Sequence, residues 1–289
     1  MDDVLTVRGL SKHYARFALQ DVSFSVKGGE IMGFIGRNGA GKSTTLKALL
    51  NLVHPDAGSV SFFGLPFLEN EPAIKRRIGY VAGGIDFYSK KPLRIITDVT
   101  RRFYPSWDEG AYRRYLSRFS LEESKTPQQL SAGMRVKYSL ALALSHRAEL
   151  LILDEPTSGL DPVSRDDLLD AMLALCREGV SILFSTHIIT DLEKCADSIT
   201  YIQDGRILAC EGLDAFAARY DLVHLPDGPL PPAQAALLIG PKPAKRGVTA
   251  LLPREAAFSC PCLERRAATL EESMIHLEKE RDSHEAAAV

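Results

Sequence analysis

The chain has 289 residues, 45 % apolar and 25 % charged, with 35 basic against 37 acidic side chains and a net charge of -2. That is the make-up of a globular protein of one large or two smaller domains, and it excludes a mainly disordered or fibrous chain. The near balance of charge gives no general pull towards nucleic acid or anionic lipid. No run approaches the roughly 20 apolar residues of a membrane-spanning helix. The Met-Asp-Asp start lacks the basic-then-apolar pattern of a signal peptide, so a membrane link is expected to run through a partner. The five cysteines fit a reducing compartment. The Cys260-Pro261-Cys262 pair has no further Cys or His cluster to complete a metal site.

In chain order, Val22, Phe24 and Val26 alternate with polar residues, as in a half-buried strand, and Lys27-Gly28-Gly29-Glu30 is a turn. Ile31 to Ile35 is an apolar run broken only by Gly33, a buried strand. Leu46, Leu49, Leu50 and Val53 follow at helical spacing. Residues from about 86 to 147 break the alternation and predict an inserted helical subdomain. Leu150 to Leu153 and Ile182 to Phe184 are buried strands. Between them Leu168, Leu169, Met172 and Leu175 share a helix face that ends near Gly179. Asp204-Gly205, between Ile199–Ile202 and Ile207–Ala209, predicts a hairpin. Strands alternating with helices predict an α/β core with a mainly parallel sheet. Eight of the sixteen prolines fall between Pro226 and Pro261, so the chain after residue 219 is read as loop-rich. It closes on Thr269-Leu270-Glu271-Glu272, a capping-box pattern, followed by Ser273, Met274 and Leu277 on one helical face with Leu270. Residues 220–289 are therefore read as a small appended module that ends in a helix.

Two motifs carry chemistry. Gly36-Arg37-Asn38-Gly39-Ala40-Gly41-Lys42-Ser43-Thr44 matches G-x-x-x-x-G-K-[ST] between a buried strand and an amphipathic helix. Its glycines let backbone N–H groups turn inward around phosphate oxygens, and the helix start adds its positive dipole end. Lys42 is expected on the β- and γ-phosphates and Ser43 on magnesium. Downstream, Leu150-Leu151-Ile152-Leu153-Asp154-Glu155 is a buried strand that ends in two carboxylates. Asp154 can hold magnesium there, and Glu155 can act as general base on an attacking water.

With those motifs in place, the chain from about residue 3 to 218 resembles the nucleotide-binding subunit of an ATP-binding cassette (ABC) transporter. The resemblance implies a P-loop NTPase (RecA-like) core with an antiparallel β subdomain and an inserted helical subdomain over residues 1–219. The small C-terminal α+β module would follow it. Tyr14 matches the family's adenine-stacking aromatic. Ser158-Gly159-Leu160-Asp161 matches the D-loop at the dimer interface. His187, in Ser185-Thr186-His187, matches the switch histidine at the γ-phosphate. Ser131, Ala132 and Gly133, in Leu130-Ser131-Ala132-Gly133-Met134, match the signature, which binds ATP held by the opposite subunit. The implied ligands are ATP and Mg2+. The implied partners are a second nucleotide-binding subunit, in a homo- or heterodimer, and a separate transmembrane permease, with no nucleic acid. The implied place is the cytoplasmic face of the membrane, held there by the permease. Tyr104-Pro105-Ser106-Trp107-Asp108 is most similar to bacterial exporter subunits.

The sequence departs from the family pattern at two places. Ala132 and Met134 stand where glycine and glutamine are usual in the signature. Gly83 stands where the Q-loop glutamine is usual, with Asp86 as a nearby substitute. Phe87, Tyr88, Phe103, Tyr104, Trp107, Tyr112 and Tyr115 gather between Q-loop and signature; most are expected in the subdomain core, and one or two in a groove for the permease. Two other functions stay open on sequence grounds: a catalytically weak regulatory or sensor subunit, and a soluble ABC ATPase acting on nucleic acid or ribosomes.

Overall fold

The computed structural model describes residues 2–82, 88–257 and 262–287, with side chains through residue 280. The chain divides into two compact units, 1–210 and 211–289. The sequence placed this boundary at 219/220.

The first unit is built on two sheets. Strands β1 (Asp3–Tyr14), β2 (Phe17–Lys27), β4 (Ala57–Phe62) and β5 (Leu65–Pro66) form an antiparallel sheet in the order β2-β1-β4-β5. The alternation along β2 puts Val22, Phe24 and Val26 inward, where they pack with Leu5, Val7 and Leu10 of β1. The second sheet has the order β10-β9-β3-β8-β7-β6. It comprises β3 (Ile31–Ile35), β6 (Ile78–Ala82), β7 (Leu150–Asp154), β8 (Ser181–Thr186), β9 (Ser198–Gln203) and β10 (Arg206–Gly212). Its inner pairs are parallel. Strands β3, β7 and β8 are buried along their whole length, which is why their sequences are continuous apolar runs rather than alternating ones.

Helix α1 (Lys42–Leu49) follows β3 directly. Leu46 and Leu49 are buried, and the helix stops at Leu50, short of Val53. Helix α2 (Phe67–Lys75) leads into β6. Between β6 and β7 come α3 (Leu93–Thr100), α4 (Glu109–Arg118) and α5 (Ala132–Ser145). Thr97 ties the three together, its hydroxyl lying 2.7 Å from both Tyr112 and Tyr138 Oη. Burial of these tyrosines is thus offset by hydrogen bonds. Helices α6 (Pro162–Arg177) and α7 (Ile189–Cys195) flank β8 in the chain. Leu168, Leu169, Met172 and Leu175 all point into the core from α6.

The second unit is more regular than its prolines suggest. After α8 (Leu213–Ala217), strands β11 (Tyr220–Leu225), β12 (Ile239–Pro243), β13 (Val248–Pro253) and β14 (Glu264–Ala267) form an antiparallel sheet ordered β12-β13-β11-β14. A short helix, α9 (Pro232–Ala235), lies in the β11–β12 connection. Pro241 and Pro243 sit on the edge strand β12, and Pro253 ends β13, positions where a missing N–H costs least. The loop-rich reading is therefore corrected: proline here marks edges and ends. Helix α10 (Leu270–Ala287) starts with the capping box, Glu272 N–H donating to Thr269 Oγ1 at 3.1 Å and Thr269 N–H to Glu272 Oε2 at 2.9 Å. The paired Arg266 guanidinium, together with the Thr269 cap, holds the Glu272 carboxyl down at about 2.

One buried histidine makes the first unit acid-sensitive. The His146 ring stacks on Tyr104 at 3.8 Å and bonds the Arg76 carbonyl through Nδ1 at 3.1 Å. Burial lowers its pKa from 6.5 to about 4. The folded unit thus binds fewer protons than the unfolded chain between these values. Stability from His146 is complete above pH 6.5 and is lost as pH falls towards 4, by about 3 kcal/mol in total. Denaturant titrations followed by the single tryptophan, Trp107, are expected to show this fall, and His146→Gln to flatten it.

Candidate functional site

The turn from β3 to α1 is a cradle that only small residues can form. Gly41, the N-cap of α1, has φ 113°, a left-handed backbone. A Cβ on Gly36 would meet the Ile202 carbonyl at 2.3 Å. Ala40 is buried, its amide bonded to the Arg37 carbonyl at 3.1 Å. The cradle opens onto a cavity of about 690 Å3. Arg37, Asn38, Gly39, Gly41, Lys42, Ser43 and Thr44 line it from the turn, and Glu155, Ser158 and His187 from the opposite wall. Arg16, Arg37 and Lys42 bring to it cations that can meet a polyphosphate, beside the carboxylates of Glu155 and Asp204.

Lys42 is almost fully buried. Its Nζ donates to the Gly36 carbonyl at 2.8 Å and the Arg37 carbonyl at 3.2 Å, and lies 3.1 Å from Glu155 Oε1. The other carboxylate oxygen of Glu155 is 2.8 Å from His187 Nδ1. Ser43 Oγ donates to Asp154 Oδ1 at 3.0 Å. Burial, with the Asp154 charge, pushes the Tyr80 hydroxyl on β6 up to about 12. The structure thus brings together two segments more than a hundred residues apart in sequence.

The Ser43 hydroxyl and the Asp154 carboxylate also fit a magnesium ion. Mg2+ takes one or two protein oxygens and fills its octahedron with water and phosphate, which is the donor set that Ser43 and Asp154 offer. No cluster of three or more His, Cys, Asp or Glu that could hold a metal occurs among the described residues, so a cage made wholly of protein is not built there.

The remaining expected residues fall in three places. Ser158 reaches the cavity, and Gly159 (φ 72°) and Leu160 turn the chain to Asp161. Asp161 caps α6 by accepting from the amides of Val163 at 3.1 Å and Ser164 at 3.0 Å. The bonds from Ser164, hydroxyl and amide, hold its carboxyl below the usual range. Ser131 caps α5, accepting from Met134 N–H at 3.2 Å, and with Ala132 and Gly133 it does not line the cavity. Tyr14 ends β1 opposite Phe17, with ring centroids 6.4 Å apart, and it is Phe17 with Arg16 that lines the cavity. Gly83 and Asp86, with Phe87, lie outside the described residues, as does Cys260.

Sequence reasoning missed three groups. Arg16 and Phe17 face the cavity because a two-residue turn follows Tyr14, a signal readable only once the β1–β2 pairing is known. Ser185, fully buried near the end of β8, bonds the Asp154 carboxylate and the Glu155 amide. Asp191, fully buried on α7, accepts from Thr157 Oγ1 at 2.6 Å and from Arg165 Nε. It ties the segment after Glu155 to both α6 and α7.

Comparison with known proteins bears on the family. The ABC transporter family model matches residues 19–158. The ABC transporter ATP-binding protein YtrB of Bacillus subtilis (strain 168) is 32 % identical over 224 residues, 77 % of this chain and 76 % of that protein. The chain belongs to the ATP-binding subunits of ABC transporters. The bacitracin transport ATP-binding protein BcrA of Bacillus licheniformis is 34 % identical over 72 % of this ABC subunit and 69 % of its own length. A solved structure of an ATP-binding subunit of an ABC transporter superposes with a TM-score of 0.66 at 33 % identity, covering 74 % of this chain and 91 % of that one. As an ABC subunit the protein binds ATP and hydrolyses it to ADP and phosphate, and it works with a second ATP-binding subunit and a transmembrane permease. No described helix is long and apolar enough to cross a membrane.

Removing the buried Lys42 charge tests the cradle. Lys42→Ala is expected to weaken ATP binding by about a hundredfold or more, because a desolvated charge-assisted contact to the phosphates is lost. Titration with a fluorescent ATP analogue measures it.

Proposed function

We propose that this subunit powers export through a separate permease, as one half of a head-to-tail pair that buries two ATP molecules. The observation that carries the catalytic part is the contact of Glu155 with both Lys42 and His187. The triphosphate competes for Lys42 Nζ, and the Glu155 carboxylate it gives up turns to a water in line with the γ-phosphorus. Glu155 takes the proton as the water oxygen bonds to phosphorus and the bond to the β-phosphate oxygen breaks, leaving ADP and phosphate. Once Glu155 has turned to the water, His187 offers its ring N–H to the γ-phosphate. Ser43 and Asp154 would hold Mg2+, which supplies positive charge on the phosphate oxygens. Ser131, with the amides that open α5 at Ala132 and Gly133, serves the γ-phosphate bound by the partner subunit. The Ser158–Asp161 loop faces that partner. Tyr14 and Phe17 together offer the adenine a stacking edge.

The export direction draws on relatives whose names refer to transport of bacitracin and export of Nod factor. Docking to a permease draws on the helical subdomain. Ile95 and Val99 on α3, and Phe103 beyond it, are 42 %, 38 % and 70 % exposed at four-residue spacing, an apolar stripe that a helix of a membrane partner would cover. The protein would then work at the cytoplasmic face of the membrane.

Two measurements test this. Glu155→Gln is expected to bind ATP as the parent does, to turn over at least about a hundredfold more slowly, and to accumulate as a dimer in light scattering. Parental turnover in Glu155→Gln removes Glu155 as the base; absent turnover in the parent favours the regulatory reading. Phe103→Glu is expected to leave basal ATPase activity unchanged and to abolish stimulation by the permease in reconstituted membranes.

A further inference from the structure

Glu155 sits in an unusual backbone position. Its φ is 50°, in the left-handed region that a glutamate rarely adopts. Something must hold it there, and the nearest bond is to the neighbouring strand. The Glu155 N–H donates to Ser185 Oγ at 2.9 Å. The Ser185 hydroxyl in turn donates its own proton to Asp154 Oδ1 at 2.7 Å. Asp154 pairs with Ser185 in the β7–β8 register, and Ser185 is fully buried. A hydroxyl has one proton and two lone pairs. Here the proton goes to the carboxylate offered to magnesium, and a lone pair receives the amide of the base.

We infer that Ser185 is a positioning residue for hydrolysis, fixing the backbone of Glu155 and the carboxylate of Asp154 at the same time. This rests on the reading of Glu155 as general base. Without the hydroxyl, the Glu155 amide loses its partner and the left-handed turn loses the bond that selects it. The carboxylate then loses the fixed backbone from which it turns to the attacking water. Binding of ATP to the cradle changes little, because the Lys42 contacts with the Gly36 and Arg37 carbonyls do not involve Ser185 and Asp154 keeps its bond from Ser43 at 3.0 Å. The loss therefore falls on kcat and not on affinity.

The test uses the full chain, with steady-state ATPase kinetics, binding of a fluorescent ATP analogue and thermal unfolding measured together. Ser185→Ala and the near-isosteric Ser185→Cys are expected to lower kcat about tenfold, with nucleotide Kd changed by less than about threefold. Ser185→Thr, which keeps the hydroxyl, is expected to restore kcat to within about threefold of the parent. In a Glu155→Gln background, Ser185→Ala is expected to cost less than in the parent, because the base it positions is already gone and only its hold on Asp154 remains to be lost. Ser185→Cys retains the packing volume, so it decides the matter should the alanine variant fail to fold. Parental kcat in folded Ser185→Cys overturns the inference, as does a loss confined to Kd. If Glu155→Gln itself turns over like the parent, the reading of the base fails first, and this inference fails with it.

Discussion

The register between β3, β8 and β7 sets the geometry of the site. Ile35 pairs with Thr186, and Asp154 with Ser185, so three parallel strands stop at one level. The 36–44 turn leaves from the first, His187 from the second and Glu155 from the third. A slip of one residue between β7 and β8 would carry Asp154 off Ser185 and turn every β7 side chain to the opposite face. The continuous burial of Leu150 to Leu153 prevents that, because each apolar side chain has its own place in the core. Packing of the strands, not the loops, therefore fixes the distance between phosphate cradle and carboxylates.

A buried lysine follows from that arrangement. Taking an ammonium out of water costs several kcal/mol unless carbonyls and a counter-charge replace the water. The Gly36 and Arg37 carbonyls and the Glu155 carboxylate do so here. This compensation is exchangeable. A phosphate oxygen offers Lys42 the same charge as Glu155 does, at the same side of the turn, so nucleotide and carboxylate compete for one cation. On the proposed reading of Glu155 as the base, its carboxylate is released to act only once the substrate has taken Lys42.

What could be read from the sequence follows from how local the signal was. The cradle, the buried strands and the capping box at Thr269 each rest on a few neighbouring residues, and periodicity or spacing reveals them. The Ser185 clamp does not, because a serine near a strand end is common and its meaning lies in the register with a strand thirty residues earlier. Phe17 lay hidden for the same reason: only the pairing of β1 with β2 shows that its ring, rather than that of Tyr14, lines the cavity. The prolines of the C-terminal unit misled because their count carries no position. Placed at an edge and at strand ends, they interrupt nothing.

The signature departs from the family pattern at one glycine and not the other, and packing within the chain accounts for the difference. Gly133 is buried against the start of α6, where an added Cβ would stand 3.3 Å from Ser164 Cβ and 3.7 Å from Leu160 Cδ2. Ala132 is half-exposed at the first turn of α5. A methyl is therefore accommodated at 132 without moving the Leu160–Ser164 segment. At 133 it would press on Ser164, and the two helix starts, those capped by Ser131 and by Asp161, would have to give by a few tenths of an ångström. Packing of α5 against the start of α6 within this chain therefore favours glycine at 133.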